Sequence, residues 1–200
     1  MTGHEVKCHD SDAKTACFKK ALSGRYIGFL SKVEKPSDPN YRYGTTTTTE
    51  DNGLTKYSYV DDMIDILIFT TQTDFNFVLK NISSSTQKVI WNEAVYVDYN
   101  GNTSKIMHSG IKYSQKDGDQ PATTIIKGSK IEDIACPICN VSYSNVLKKW
   151  VTSSMFPSEP GQNVGPIRLM LPIQIKDVVN EYIFEFDVKY VYNHPELLNF

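Results

Sequence analysis

Two runs near the C-terminus most constrain what this chain can become. Ile167, Leu169, Leu171, Ile173 and Ile175 alternate with Arg168, Met170, Pro172, Gln174 and Lys176. Tyr182, Phe184, Phe186, Val188 and Tyr190 then alternate with Ile183, Glu185, Asp187 and Lys189. A repeat of two sends successive side chains to opposite faces of a pleated strand, whereas a helix needs a repeat near 3.6. Strands with one apolar face must bury that face against a second layer, so the runs predict antiparallel sheets packed around one core. Pro172 has no N–H to give to a neighbour, which predicts an edge strand or a bulge at that point.

The stretch from Asp74 to Ser114 repeats the pattern in shorter pieces. Phe75, Phe77 and Leu79 share a face, and Ser83-Ser84-Ser85-Thr86 is polar and poor in helix formers, as a turn should be. Val89, Trp91, Val95 and Val97 keep even spacing, with Glu93 as a wet position that predicts a bulge or a strand leaving the core there. Asn100-Gly101 tolerates positive φ at both positions, so a tight hairpin is expected there. Upstream, Ile64, Ile66 and Ile68 share a face in Met63–Phe69, the expected first core strand.

Residues 1–56 read as an N-terminal extension and linker, residues 57–192 as the compact domain, and residues 193–200 as a tail. Asp12 is placed to cap a short helix through Ala16, Phe18 and Leu22, ended by Gly24. Arg25–Val33 suits a strand or an extended arm. The Pro, Asp, Asn and Tyr residues after Lys35, with the run Thr45–Thr49, predict a surface loop, or else a weak edge strand. Cys136–Trp150 looks irregular, with helical potential near Val146–Trp150. About seven strands in residues 57–192 predict an immunoglobulin-like antiparallel β-sandwich, with Trp91 on the third strand; an eight-stranded barrel is the alternative closure.

Composition narrows the function classes. A net charge of −2 provides no electrostatic footprint for nucleic acid, and Lys19-Lys20 and Lys148-Lys149 read as isolated solvated pairs. The longest apolar run, Ile66–Phe69, is far shorter than the roughly 18 residues that cross a bilayer as a helix. No secretory signal is visible after Met1, which leaves the compartment open because a processed protein would look the same.

The segment Val89-Ile90-Trp91-Asn92-Glu93-Ala94-Val95-Tyr96-Val97-Asp98, the Asn100-Gly101 turn and Ile106–Lys112 resemble uncharacterised bacterial exported proteins and lipoproteins with an immunoglobulin-like sandwich. Pro121, Gly128, Asp133, Pro137 and Met170–Gln174 extend the likeness over roughly residues 60–190. The resemblance implies an extracytoplasmic protein of the cell envelope, and no activity. Lys14 stands where a lipobox before Cys17 would carry an aliphatic residue, so any lipid anchor is expected outside residues 1–200.

Cys136-Pro137-Ile138-Cys139 is the sharpest local motif. A redox dithiol of this spacing needs a helix N-terminus after a strand to lower a thiol pKa, and this segment has an all-β context. A zinc site would need two further ligands, for which His4, Cys8, His9 and Cys17 are available, but the spacing follows no zinc-finger pattern. Cys8, Cys17, Cys136 and Cys139 are therefore read as disulfide or thiol positions: a Cys8–Cys17 bridge, with Cys136 and Cys139 bridged locally or free. No metal or other cofactor is expected. His108 reads as a surface or core-edge residue. Glu93 and Asp98 fall on opposite faces of a regular strand and form no acid–base pair. Asn81, Asn102 and Asn140 open triplets of the N-glycosylation pattern. Tyr41, Tyr43, Tyr57, Tyr59, Tyr96, Tyr99 and Tyr113 form a stacking platform only if several are exposed together.

The expected function is a non-enzymatic, envelope-associated binding or accessory module that uses loops at one end of the sandwich. A carbohydrate-binding module built on exposed tyrosines is the alternative. The expected partner is a protein or a glycan, not nucleic acid.

Overall fold

A computed structural model of the chain describes residues 23–35, 38–41, 44–51 and 54–193. These residues form an all-β, antiparallel fold. In chain order the strands are β1 (Gly24–Lys35), β2 (Asp38–Tyr41), β3 (Thr45–Asp51), β4 (Leu54–Val60), β5 (Ile64–Thr70), β6 (Phe75–Asn81), β7 (Gln87–Val89) and β8 (Val95–Val97). They continue as β9 (Thr103–Met107), β10 (Thr123–Ile125), β11 (Lys130–Pro137), β12 (Val141–Ser144), β13 (Lys149–Thr152), β14 (Ile167–Ile175) and β15 (Val178–Tyr192). Thirteen of them belong to one hydrogen-bonded sheet whose main path runs β2-β1-β15-β14-β8-β9-β11-β6-β5-β4-β3, with β7 and β10 appended beside β14; β12 and β13 pair separately.

The sheet curls into a half-barrel, so that its two limbs face each other. Tyr59 meets Tyr182 and Phe184 edge-on, each at 6.3 Å between ring centroids, and Tyr57 meets Phe186 at 6.1 Å. Phe75 sits between Phe186 at 5.4 Å and Tyr96 at 6.0 Å. These rings are almost wholly withdrawn from solvent. Each such burial contributes on the order of 1.5–3 kcal/mol, and edge-on ring pairs add to it. The limbs join at β11, which pairs with β6 over Lys130–Ala135 and with β9 through Cys136↔Met107 and Pro137↔Ile106.

The closing strands are as the alternation predicts. In β14 Ile167, Leu169, Leu171 and Ile173 are buried, as are Tyr182, Phe184, Phe186 and Val188 in β15. The Asn100-Gly101 hairpin between β8 and β9 also forms, with Gly101 at φ 87°.

Several expectations are corrected. The sheet has far more than seven strands and is continuous, not the two separate sheets of an immunoglobulin-like sandwich. Counting missed the short strands and those before residue 57. β1 pairs with β15 from Gly24↔Tyr192 to Glu34↔Ile183 and brings Tyr26 and Val33 into the core. β1 to β4 all begin before residue 57 and belong to the same sheet, and β4 (Leu54–Val60) runs across the 56/57 position. The threonine run is the edge strand β3, paired with β4 over its whole length.

Trp91 is buried on a 3-10 turn, Trp91–Glu93, rather than on a strand. Pro172 lies inside the sheet, paired with Glu181 on one side. On its other side the neighbour of β14 changes from β8, which ends opposite Met170, to β7, which begins opposite Ile173. The Pro172 carbonyl accepts the Ile90 N–H at 3.0 Å, and in a strand the N and C=O of one residue point the same way. The missing donor thus faces the gap where the chain leaves β7 for the Trp91 turn. Val146–Trp150 is no helix, but the turn and second strand of the β12–β13 hairpin. The expected helix from Asp12 through Leu22 and the tail beyond Asn193 lie outside the described residues, and Gly24, its expected end, is the first residue of β1.

Candidate functional site

Cys136 is the last residue but one of the shared strand β11 and is buried, whereas Cys139 lies in the following 3-10 turn and is exposed; both are free thiols. Burial, with Asp74 nearby, pushes the Cys136 thiol up to about 11. A redox nucleophile needs the opposite shift, because the thiolate is the reacting species. Cys136 instead packs with Met107 and Val141 in a small apolar cluster under the β12–β13 hairpin. Among the described residues no group of three or more His, Cys, Asp or Glu side chains converges as metal ligands. Cys8 and Cys17, with His4 and His9, lie outside the described residues.

His108 is a core-edge residue. Its ring stacks on Trp91 at 4.3 Å and 6°, and its Nδ1 lies 3.3 Å from Asp133 Oδ2. The other Asp133 oxygen accepts the Ser109 N–H at 2.8 Å, and Gln120 Oε1 accepts the His108 N–H at 3.2 Å. Trp91 in turn donates its indole N–H to Thr123 at 2.8 Å. Asp133 and Ser109 border a shallow groove of about 320 Å³ on β6 and β11, together with Asn76, Val78 and Glu132. A histidine oriented by a carboxylate is a familiar acid–base arrangement, but Nε2, the atom that would exchange a proton, is buried and finds no hydrogen-bond partner among the described residues. The assembly holds the Met107–Ile111 turn against the Trp91 turn.

Glu93 and Asp98 are not brought together. Glu93 is exposed on the 3-10 turn, while Asp98 closes the β8–β9 hairpin. Its carboxylate accepts the N–H groups of Asn100 and Asn102 at 2.9 and 2.8 Å and the Asn102 amide at 3.0 Å. Partial burial pulls the Asp98 pKa upward, but these hydrogen bonds outweigh it and hold the carboxyl below its ordinary value.

Of the tyrosines considered for stacking, Tyr57, Tyr59 and Tyr96 are core residues. They cannot be part of a surface platform. Tyr99 is partly buried and Tyr113 is exposed, while Tyr43 and the Tyr41 side chain lie outside what is described. Asn81 is fully buried and donates to the Ser85 and Ile125 carbonyls at 2.8 and 2.9 Å, so it is a fastening for two turns and not a glycan acceptor. Asp61 was missed as a buttress: it accepts the Ile64 N–H at 2.9 Å and, on its other oxygen, the Tyr182 hydroxyl at 2.9 Å. The Asp61-Asp62 pair ahead of an apolar strand was its signal.

The two ends of the sheet differ in how they meet solvent. At one end β2 has four residues, includes Pro39 and joins β1 with a register shift. At the other end β3 pairs with β4 without interruption from Thr45↔Val60 to Asp51↔Leu54, and each of its seven residues is exposed. Gly44 opens this hairpin because a Cβ there would lie 2.5 Å from the Tyr59 ring. Among the described residues the outer edge of β3 pairs with no strand. No helix of the described residues is long and apolar enough to cross a membrane. No protein-family model, curated protein or solved structure matches this chain.

Proposed function

We propose that this chain is a non-enzymatic binding module of the cell envelope that receives an extended segment of a protein partner along the outer edge of β3. The observation that carries this reading is the contrast between the sheet's two ends. Proteins protect sheet edges from unwanted pairing with short strands, proline, lysine or bulges. β2 uses brevity, Pro39 and irregular register. The five threonines of β3 form a regular ladder without charge, proline or a bulge, and the charges at its end, Glu50 and Asp51, bond back to Thr55 and Lys56 of β4. An incoming strand would find main-chain donors and acceptors in register, with β-branched side chains already favouring the extended backbone. The envelope setting comes from the resemblance to exported bacterial proteins.

The test places a photo-crosslinking residue at Thr47, or at Thr103 on β9 as an exposed comparison site, in the cells that make the protein. Proline is introduced separately at Thr48 and Thr49. Successive residues of a strand aim their N–H groups to opposite sides, so one variant removes an outward donor and the other a β4-facing donor. A specific adduct from Thr47, lost in the outward-donor variant while the melting temperature holds, is the expected result. An adduct that survives both prolines, or forms equally from Thr103, overturns the reading.

A further inference from the structure

The tip of the β12–β13 hairpin has a composition that folding does not explain. Val146 is 90% exposed and Leu147 60% exposed, at the outermost point of a hairpin that lies apart from the main sheet. The turn is well defined: the Leu147 N–H donates to Ser144 Oγ at 3.1 Å, and Lys148 takes φ 52°. That left-handed conformation is unfavourable for a residue with a Cβ, yet it turns the chain sharply and leaves the Val-Leu pair projecting. Lys148 and Lys149 follow, both exposed. Behind them stand three aromatic residues: Trp150 lies 5.8 Å from Tyr143 and 6.3 Å from Tyr113, and the two tyrosines are 48% and 40% exposed. From Ile134 to Ser158 the chain contains no aspartate or glutamate.

These features form a layered gradient: aliphatic at the tip, then cationic, then aromatic with a polar end. A lipid monolayer presents the complementary order. Acyl chains accept the Val-Leu pair, anionic headgroups accept the lysines, and the interfacial zone favours tryptophan and tyrosine. We infer that the Val146–Lys149 tip docks the protein on a bilayer surface that carries anionic lipids. The −2 charge of the whole chain repels such a surface, so the local excess of lysine sets the orientation of approach. The β14–β15 turn is the internal contrast. Val178 and Val179 there are 62% and 42% exposed and Lys176 also takes a positive φ of 54°, but Asp177 stands between the lysine and the valines, so the turn lacks the unopposed cationic layer of the tip.

The full chain is mixed with phosphatidylcholine vesicles, with and without about one third phosphatidylserine, and partition is measured by sedimentation. Trp150 quenching by brominated lipid reports depth, with Trp150→Phe as the blank. Binding is expected only to the anionic vesicles and should weaken as salt rises. Val146→Ser with Leu147→Ser should lower partition roughly tenfold or more, and each of Lys148→Ala and Lys149→Ala about fivefold. Val178→Ser should leave it unchanged. All these positions but Trp150 are exposed, and unchanged far-ultraviolet circular dichroism and melting temperature will show that each variant is folded. Failure of the parent protein to bind anionic vesicles overturns the inference. Equal binding of the Val146→Ser/Leu147→Ser variant, or a fall with Val178→Ser as large as with the tip, does so too. Loss of a protein partner with the tip variant, while vesicles are ignored by the parent, assigns the tip to that partner and also overturns it.

Discussion

The β8–β9 and β12–β13 hairpins are of similar size and lie on either side of β11 in sequence, yet their turns are built on opposite principles. Asp98–Asn102 exposes no aliphatic side chain, turns its one aromatic residue, Tyr99, against the core, places glycine at its positive φ of 87°, and gathers its N–H groups onto one carboxylate. The strand before it sends Tyr96 into the main core against Phe75. The second hairpin puts a lysine at positive φ, exposes valine and leucine, and packs on a separate small cluster around Cys136. One turn satisfies every local rule for a chain in water. The other departs from those rules where nothing in the fold requires it, and such departures point to a role at the surface.

The contrast can be broken most forcefully at the base of each hairpin. Tyr96→Ala should cost about 3–5 kcal/mol, as large-to-small changes in a packed core do. Trp150→Ala, at a half-buried site outside that core, should cost less than half as much. Urea unfolding of both variants checks this, and equal losses would show that the small cluster is as important to stability as the main one.

Next in size are the turns. Asp98→Ala removes an acceptor for several hydrogen bonds and should cost about 1 kcal/mol. The parent protein should also show an acid-dependent loss at this residue. Because its pKa is depressed on folding, the Asp98 contribution is complete above the ordinary value of 3.8 and fades as pH falls through the folded value. Asp98→Asn should flatten that part of the stability–pH curve. Lys148→Gly should change stability in the other direction, by about +0.5 kcal/mol, because relief of the left-handed strain exceeds the extra entropy of glycine.

The smallest effect on stability sharpens the contrast most. Val146→Ser and Leu147→Ser should alter unfolding by less than about 0.5 kcal/mol, as exposed substitutions do. Thiol labelling supplies a further comparison beneath the same hairpin. Cys139 should react with a maleimide in the native protein at neutral pH, while Cys136 should react at least a hundredfold more slowly until the protein unfolds. Rapid native labelling of Cys136 would mean that the β12–β13 hairpin opens readily.

Much of the fold was legible where one face of a strand is apolar. Ile64–Phe69, Phe75–Leu79 and the two closing strands state their register in every second residue, and Asn100-Gly101 names its own turn. Short strands are illegible for a physical reason: three residues such as Gln87–Val89 hold too few alternations to distinguish them from a turn. The candidate surfaces were legible in part. The threonine run was visible as an edge-strand alternative, and Lys148-Lys149 was visible as a basic pair. Neither the open side of β3 nor the projection of Val146 can be read from composition, because exposure depends on what the rest of the chain covers.

The sequence alone determined that this chain forms antiparallel sheets and which side chains of its long strands turn inward, since that follows from the two-residue period of an extended backbone. Only the tertiary structure decided that the strands make one continuous curled sheet, with Gly24–Lys35 paired to the last strand and β11 shared between its limbs. Such pairings join segments far apart in the chain, and hydrogen bonds between backbones leave no mark on the identity of the residues that make them.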